Sequence, residues 1–313
     1  MRIASVLTPV SDHHLRLASQ VGVTEIVGRY PGPELAGLFH LKSRVESFGM
    51  RLSVIEGYLP IEQIKLGTAE RDAEIEQMKA LIRNMGSAGV PLLCYNFMAG
   101  SDWSRTSFVE RERGGALVSG FDLSRVTTEA PQEPALSADE LWNNLRGFLQ
   151  AVLPVAEKAG VTLAMHPDDP PIPSFRGQPR IMHTVEAFER LATLVPSPAN
   201  KICFCQGTFA EMGVDIPATI RRLGRHIRYV HFRDVRGKAT QFVETFHDNG
   251  PSNMFEAMRT YREIGFEGPM RPDHVPQLAG EEDGEPGYTM LGRLFAVGYM
   301  RGLIQAVNEG RKS

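Results

Sequence analysis

The chain has 313 residues, of which 42% are hydrophobic, and its 34 basic and 37 acidic residues give a formal charge of −3. This composition is typical of a globular protein with a full core, and it indicates neither a nucleic-acid partner nor a surface that binds anionic membranes. No apolar run approaches the roughly 20 residues that cross a bilayer, so we expect no membrane-spanning segment.

The N-terminus and the cysteines both bear on the compartment. The first residues lack a basic region followed by an apolar stretch of signal-peptide length. Cys94, Cys203 and Cys205 lie in strand-like apolar runs and form no even disulfide framework. We therefore expect a reduced, cytoplasmic location.

Eight short apolar runs follow one another along the chain. The predicted strands are residues 2–7, 24–29, 51–57, 91–97, 161–166, 201–206, 227–233 and 268–273. Amphipathic helical periodicity is clearest over 73–89, 138–160 and 254–266. Strands that alternate with helices form right-handed βαβ units around a parallel sheet.

Eight such units favour an α/β fold of the (β/α)8 TIM-barrel type, as a single domain over residues 1–313. An open doubly wound sheet is the alternative. Its dinucleotide-binding version loses support because no G-x-G-x-x-G follows the first strand. Residues 98–137, rich in Gly, Ser, Arg and Thr, are too long for a plain connection, and we expect a lid or loop insertion there, over the barrel mouth.

Catalytic residues of TIM barrels gather at the carboxyl ends of the strands. Four successive predicted strands carry metal-ligand residue types at that end: His166, Cys205, His231 and Asp273. Each residue alone has a simpler interpretation, as a hydrogen-bonded rim group, a small buried residue or a helix cap. Together they predict a divalent-metal site. Thiolate and imidazole suit Zn²⁺, whereas a carboxylate and open coordination positions suit Mn²⁺, Fe²⁺ or Co²⁺ as well.

Two further residues are candidates for proton transfer. His274 directly follows Asp273, so its side chain diverges from the ligand and can face a substrate. Tyr288 follows an acidic, Gly-rich loop that could fold over the mouth. A metal bound to a substrate oxygen acidifies the adjacent C–H, and a His or Tyr can take or return that proton. The alternatives are an orienting role for His274 and a core position for Tyr288.

The predicted substrate contacts are polar residues near the same rim. Guanidinium groups bind carboxylates in a forked pair, which makes three arginines candidates for a carboxylate clamp. Asn96, at the end of the fourth strand, is a candidate for contact with substrate hydroxyls. His247 is a candidate near the rim, where orienting its neighbours is the alternative. The three arginines are Arg105, Arg180 and Arg233.

These motifs resemble those of the mannonate dehydratase family, whose members have a xylose-isomerase-like barrel. The resemblance covers roughly residues 90–305 and rests on CYNFMAGSDWSRT (94–106), AMHPDDPP (164–171), PRI (179–181), FCQGT (204–208), HFRDV (231–235), FVETFHDNG (242–250), RPDH (271–274) and GYTMLGRLFAVGYMRG (287–302). HPDDPP and RPDH with the downstream GY and GR are the specific parts.

The resemblance implies a function and a set of site residues. It implies a divalent metal, typically Mn²⁺, held by the four strand-end residues named above, with proton transfer by His274 and Tyr288. It also implies removal of water from D-mannonate to give 2-keto-3-deoxy-D-gluconate.

Other functions remain open at this stage. A related hexonate could replace mannonate, or the barrel could act as a metal-dependent sugar isomerase or epimerase. A barrel that only binds sugar acids is the non-enzymatic alternative. The expected partner is a small-molecule sugar acid, with no nucleic acid and no membrane, and a homodimer or larger assembly is possible.

Overall fold

The computed structural model describes residues 1–127 and 135–309. Its strands, in chain order, are β1 (Arg2–Val6), β2 (Glu25–Gly28), β3 (Arg51–Glu56), β4 (Leu92–Tyr95), β5 (Ser107–Arg111), β6 (Leu117–Asp122), β7 (Thr162–Met165), β8 (Ser174–Phe175), β9 (Gln178–Pro179), β10 (Asn200–Cys205), β11 (Ile227–Phe232), β12 (Val235–Lys238), β13 (Gln241–Glu244) and β14 (Pro269–Pro272). Its helices are α1 (Asp12–Gln20), α2 (Leu35–Glu46), α3 (Glu62–Leu66), α4 (Arg71–Ala88), α5 (Ala138–Ala159), α6 (Val185–Leu194), α7 (Gln206–Glu211), α8 (Ile216–Leu223), α9 (Met254–Glu263) and α10 (Met290–Glu309).

Eight parallel strands close into a barrel in the order β1-β14-β11-β10-β7-β4-β3-β2. Each of the eight predicted strands corresponds to one of them, and the three predicted helices correspond to α4, α5 and α9. The predicted (β/α)8 TIM-barrel class is therefore confirmed. Within the described residues, no helix is long and apolar enough to cross a membrane.

Alternation of side chains along the strands separates two cores. On β10, Ile202 and Phe204 pack outward with the helices, whereas Cys203 packs inside the barrel. Because successive side chains of a strand point to opposite faces, Cys205 points inward as well. The inner core is small and includes Ala4, Val27, Leu92 and Ala164.

Helix α5 shows how the sequence sets the outer layer. Ser137 accepts a hydrogen bond from the Glu140 backbone, the Glu140 side chain accepts one in return, and Gly160 ends the helix at φ 67°. These are a capping box and a left-handed C-cap, the usual signals for helix boundaries. The buried face of the helix is apolar and consists of Leu141, Trp142, Leu145, Phe148, Leu149, Val152, Leu153 and Ala156.

A second, four-stranded sheet of order β12-β13-β6-β5 lies beside the barrel. Two hairpins build it: one follows β4 and the other follows β11, and β13 pairs antiparallel with β6. The predicted insertion at 98–137 thus contains a hairpin as well as loops, with 128–134 outside the described residues. Its action as a lid stays a prediction. A small core under this sheet consists of Phe121, Ile172, Phe175, Val235 and Phe242.

Gly207, in the first turn of α7, lies directly against the side chain of Arg233. A Cβ at Gly207 would be 2.6 Å from Arg233 Cζ, whereas a Cβ at Gly147 would meet no atom within 4 Å. We expect Gly207→Ala to lower the free energy of unfolding by roughly 1–3 kcal/mol, because a packed interior resists an added methyl group. Gly147→Ala, the control on exposed helix surface, should raise it by roughly 0.5–1 kcal/mol. Urea unfolding of both variants measures this, and equal stability of the two would contradict the expectation.

Candidate metal centre and active site

A cavity of about 400 Å³ opens at the carboxyl ends of the barrel strands. Its wall includes His166, His231 and Asp273, together with His274 and Tyr288. The strand register explains this grouping: Cys205 on β10 pairs with His231 on β11. Adjacent strands in register therefore bring side chains from distant parts of the sequence to one level of the barrel.

Four side chains converge at the bottom of this cavity. The ligand atoms of His166, Cys205, His231 and Asp273 all lie within 4.8 Å of one another. His166 Nε2 is 3.2 Å from His231 Nδ1, and Asp273 Oδ2 is 3.5 Å from that same nitrogen. Two nitrogens bound tetrahedrally to one ion at about 2.1 Å would lie about 3.4 Å apart. We call these residues the four-ligand cluster, and their spacing is that of a possible metal site.

Hydrogen bonds orient both imidazoles toward the centre of the cluster. His166 Nδ1 donates a hydrogen bond to the Pro167 carbonyl oxygen at 2.7 Å. The other ring nitrogen, Nε2, is therefore the one that can bind a metal. His231 Nε2 lies 3.2 Å from Glu56 Oε2, which leaves Nδ1 facing the cluster. Such partners on the second ring nitrogen are usual for metal-binding histidines, since they fix the tautomer and the ring orientation.

The cluster has the charges of a cation site. Burial opposes ionisation of the Cys205 thiol, but the nearby Arg233 guanidinium and His166 hold its pKa well below the usual value. Burial also opposes ionisation of Asp273, yet Arg271 holds the pKa of that carboxyl well below its usual range. A thiolate, a carboxylate and two imidazoles thus share one point, and a divalent cation there would compensate both negative charges.

His274 is held beside the cluster by a carboxylate and aromatic rings. Glu244 Oε1 accepts a hydrogen bond from His274 Nδ1 at 2.8 Å. The Trp103 ring packs 4.7 Å from the imidazole, and the Tyr288 ring meets it edge-on at 5.6 Å. Burial raises the pKa of Tyr288, so its phenol keeps its proton at neutral pH. A candidate base and a candidate acid therefore lie side by side on one cavity wall.

The sequence model of the family described as D-mannonate dehydratase (UxuA) matches residues 8–135 and 134–313. A mannonate dehydratase from Oceanobacillus iheyensis is 36% identical over 295 residues, covering 85% of this chain and 84% of that relative. The chain belongs to the D-mannonate dehydratase family. The family resemblance predicted from the motifs is thereby confirmed.

Other members of the D-mannonate dehydratase family are similar over most of their length. The mannonate dehydratase of Thermotoga maritima is 34% identical over 313 residues, covering 88% of this chain and 86% of that relative. The crystal structure of mannonate dehydratase from Streptococcus suis serotype 2 superposes with a TM-score of 0.93 at 32% identity, over 100% of this chain and 95% of that one. An L-ribulose 3-epimerase structure has a TM-score of 0.66 at 15% identity, over 99% of this chain and 97% of that one, which shows a shared fold alone.

The structure places one of the predicted substrate residues on the cavity wall of this family member. Asn96 lines the cavity, where its amide nitrogen donates to Asp102 Oδ1 at 3.0 Å. Arg105 and Arg233 lie behind the wall instead, with side chains that are 0% exposed. Both guanidiniums are paired with the Asp169 carboxylate, at 2.6 Å and 2.9 Å. The prediction that Arg105 and Arg233 bind a substrate carboxylate is therefore corrected, because protein carboxylates already occupy both guanidinium groups.

Two other predicted substrate residues are also buried away from the cavity wall. Arg180 donates through Nη2 to Ser101 Oγ at 2.7 Å, so it supports a wall residue rather than lining the wall. His247 is fully buried. Neither side chain lies where it could touch a substrate in the cavity. The prediction that Arg180 and His247 contact the substrate is therefore corrected.

His247 makes the stability of the fold sensitive to acid. Burial lowers the pKa of His247 to about 4, whereas an unfolded histidine titrates near 6.5. As pH falls below 6.5, His247 becomes protonated in the unfolded chain but stays neutral in the folded chain. The free energy of unfolding therefore declines until about pH 4. Between pH 8 and pH 5 this amounts to about 2 kcal/mol. His247→Gln should lose that much less stability over the same interval in urea unfolding, and an unchanged pH dependence would refute the assignment.

Sequence reasoning missed several charged residues of the site. Glu56 ends β3 and Arg29 follows β2. Both line the cavity, as do Lys65 and Arg271. Glu56 carries the same signal as His166, a polar side chain at the carboxyl end of an apolar strand, and could have been found by it. Arg271 binds Glu56 Oε1 at 2.6 Å, a contact between the third and eighth barrel strands that only barrel closure creates.

Proposed function

We propose that this protein removes water from D-mannonate to give 2-keto-3-deoxy-D-gluconate, using a divalent metal. The observation that carries the proposal is the convergence of the four-ligand cluster beside His274 and Tyr288 on one cavity of about 400 Å³. Membership of the D-mannonate dehydratase family supports the choice of reaction. The cavity is at the lower end of the volumes usual for small-molecule sites, which suits a six-carbon acid.

The four-ligand cluster fits a divalent metal, and we propose Mn²⁺, with Fe²⁺, Co²⁺ and Zn²⁺ as alternatives. Its mixed sulfur, nitrogen and oxygen donors accept any of these ions. His166, Cys205, His231 and Asp273 would hold the ion. When bound, it supplies positive charge that polarises the substrate oxygens next to the reacting carbons.

His274 and Tyr288 divide the proton transfers in this proposal. His274 donates a hydrogen bond from Nδ1 to Glu244. Its other ring nitrogen, Nε2, therefore takes the proton from C2 of the substrate. Tyr288, which keeps its phenolic proton, gives it to the C3 hydroxyl as the C3–O bond breaks and water leaves. The resulting enol loses its C2 hydroxyl proton, which restores the Tyr288 phenol, and takes a proton from solvent at C3 to become the 2-keto-3-deoxy acid. His274 releases the C2 proton to solvent, so the reaction balances as mannonate to product plus water.

Two cationic wall residues are proposed to hold the substrate carboxylate. Arg29 Nη1 lies 3.6 Å from Glu56 Oε1, so it retains donors for a second anion. Lys65 donates to the Met98 carbonyl oxygen at 3.1 Å and lines the same wall. Asn96 is proposed to contact a substrate hydroxyl. These groups would fix the substrate so that C2 faces His274.

The test is turnover by the purified, metal-loaded protein. D-Mannonate and a panel of other hexonates are incubated in D₂O, and products are identified by NMR. The proposal expects a 2-keto-3-deoxy acid with one deuteron at C3, and loss of turnover after chelation with recovery on adding Mn²⁺. A sugar acid of unchanged formula, isomerised at C2 or C3, would contradict dehydration and support the isomerase alternative.

A further inference from the structure

A second group of potential ligands lies deeper in the barrel. Cys94, Cys203 and His231 each offer a ligand atom, and these atoms lie within 4.8 Å of one another. Cys203 precedes Cys205 by two residues on β10 and points to the same side, about 6.6 Å further from the mouth. All three residues are almost completely buried. The proposed dehydration makes no use of either thiol.

The two thiols face each other without the geometry of a disulfide. Cys94 on β4 and Cys203 on β10 belong to strands that both pair with β7, so one strand lies between them. Two interstrand spacings separate their backbones by about 9–10 Å. A disulfide needs Cα atoms roughly 4.4–6.8 Å apart, so oxidation to one would require the barrel to rearrange. Ala164 on β7 keeps the space between the sulfur atoms open, because its side chain is a single methyl group.

Glu56 lies beside this group and contacts its imidazole. Its Oε2 lies 3.2 Å from His231 Nε2, the ring nitrogen that the four-ligand cluster leaves unused. The backbone of Glu56 pairs with Cys94 in the β3–β4 register, so the two side chains leave adjacent strands at the same level. Two sulfurs and one imidazole nitrogen therefore surround a point below the four-ligand cluster, and the Glu56 carboxylate lies beside the imidazole.

Access and charge both suit a cation at this point. Glu56, Cys94 and His231 line the cavity, so an ion can enter from the mouth without opening the barrel. Arg271 binds Glu56 Oε1 at 2.6 Å and contributes one positive charge. Arginine side chains already balance the Glu56 carboxylate, so the two thiolates carry the −2 charge that one divalent cation neutralises.

We propose that Cys94, Cys203 and His231 form a second cation site, the deep cysteine site, for a soft divalent ion of the Zn²⁺ and Cd²⁺ class. Paired thiolates favour such ions over Mn²⁺. Binding releases both thiol protons to solvent, and the His231 Nε2 proton moves to Nδ1 while the four-ligand cluster is empty. When both sites are filled, that proton also leaves and His231 joins the sites as an imidazolate through its two ring nitrogens. Occupancy of the deep cysteine site also removes the hydrogen bond from His231 to Glu56. Excess soft cation should therefore weaken metal binding in the four-ligand cluster.

The experiment is a Cd²⁺ titration of the full chain, followed by the ultraviolet thiolate-to-cadmium band and by ¹¹³Cd NMR. The metal-free wild type should bind two equivalents, with one cadmium resonance typical of a single thiolate and one typical of two. Cys205→Ser should keep about two-thirds of the band, because two of three Cd–S bonds remain. Cys94→Ala/Cys203→Ala should keep about one-third and bind one equivalent.

The outcomes separate the deep cysteine site from the proposed function. A wild type that shows no two-thiolate cadmium resonance overturns the deep cysteine site, whatever the variants do. A double variant that still binds two equivalents with the full band overturns it as well. The single variants Cys94→Ser and Cys203→Ser provide the same comparison if the double variant fails to fold. Cadmium binding through both thiols in a protein that never dehydrates mannonate would support this site and reject only the dehydratase proposal.

Discussion

Cys205→Ser is expected to weaken metal binding by more than about 100-fold and to reduce mannonate turnover at least as much. Loss of a residue that merely orients a metal ligand already costs about 10–100-fold in metal affinity or activity. The pKa of Cys205 lies well below its usual value because Arg233 and His166 outweigh the effect of burial, so the native donor is a thiolate. A serine hydroxyl at the same place keeps its proton and is a weak, neutral donor. The variant therefore loses both a bond to the ion and a compensating charge.

Cys205→Asp is the matched control for charge. A carboxylate of similar volume restores a negative donor, so this variant should recover part of the Mn²⁺ affinity that Cys205→Ser loses. Because oxygen replaces sulfur, its preference should move from Zn²⁺ toward Mn²⁺. Metal content by mass spectrometry, competition titrations and turnover with each ion measure these effects.

Thr208 is hydrogen-bonded to the Cys205 sulfur and bears on how this variant is checked. Its hydroxyl donates to Cys205 Sγ at 3.1 Å and accepts from Arg233 Nη2 at 3.0 Å. Its presence means that Cys205→Ser also alters a hydrogen-bonded neighbour, so folding of the variant is checked by urea unfolding. Normal metal content and normal turnover in a folded Cys205→Ser protein would show that the four-ligand cluster is not the metal centre.

The barrel and the four-ligand cluster were predictable because both follow from short-range patterns. Apolar runs of four to six residues alternate with amphipathic helices, and parallel strands bring their carboxyl ends to one rim. His166, Cys205 and His231 sit at those ends, so their meeting required only the strand order of a closed barrel. Their proximity is a consequence of topology.

Beneath the site lie buried ion pairs between two arginines, Arg105 and Arg233, and protein carboxylates. These pairs were not predictable in the same way. Arg105 follows β4, and its carboxylate partners Asp169 and Glu244 follow β7 and end β13. These segments meet because hairpins after β4 and β11 pair into the second sheet, which no local periodicity indicates. Seen along the sequence, Arg105 is a surface-like arginine near a rim. Only the tertiary structure shows that its fork is already filled.

Glu244 connects that second sheet to the proposed chemistry. It ends β13, and its carboxylate accepts from His274 Nδ1 at 2.8 Å and from Arg105 Nη2 at 2.6 Å. Burial opposes its ionisation, but Arg233 and His274 lower its pKa to about 2, so the carboxylate is charged throughout the working range. A charged acceptor on Nδ1 fixes both the ring orientation and the tautomer of His274, as in other enzymes that use an oriented imidazole base.

Glu244→Gln is therefore expected to lower kcat by roughly 10²-fold or more with little change in KM, because a base that loses its orientation loses most of its contribution. Glu211→Gln is the matched control, because Glu211 also binds Arg233, at 3.0 Å, whereas the carboxylate that contacts His274 Nδ1 is that of Glu244. Equal losses of kcat in the two variants would mean that Glu244 only stabilises the buried ion pairs and does not position His274.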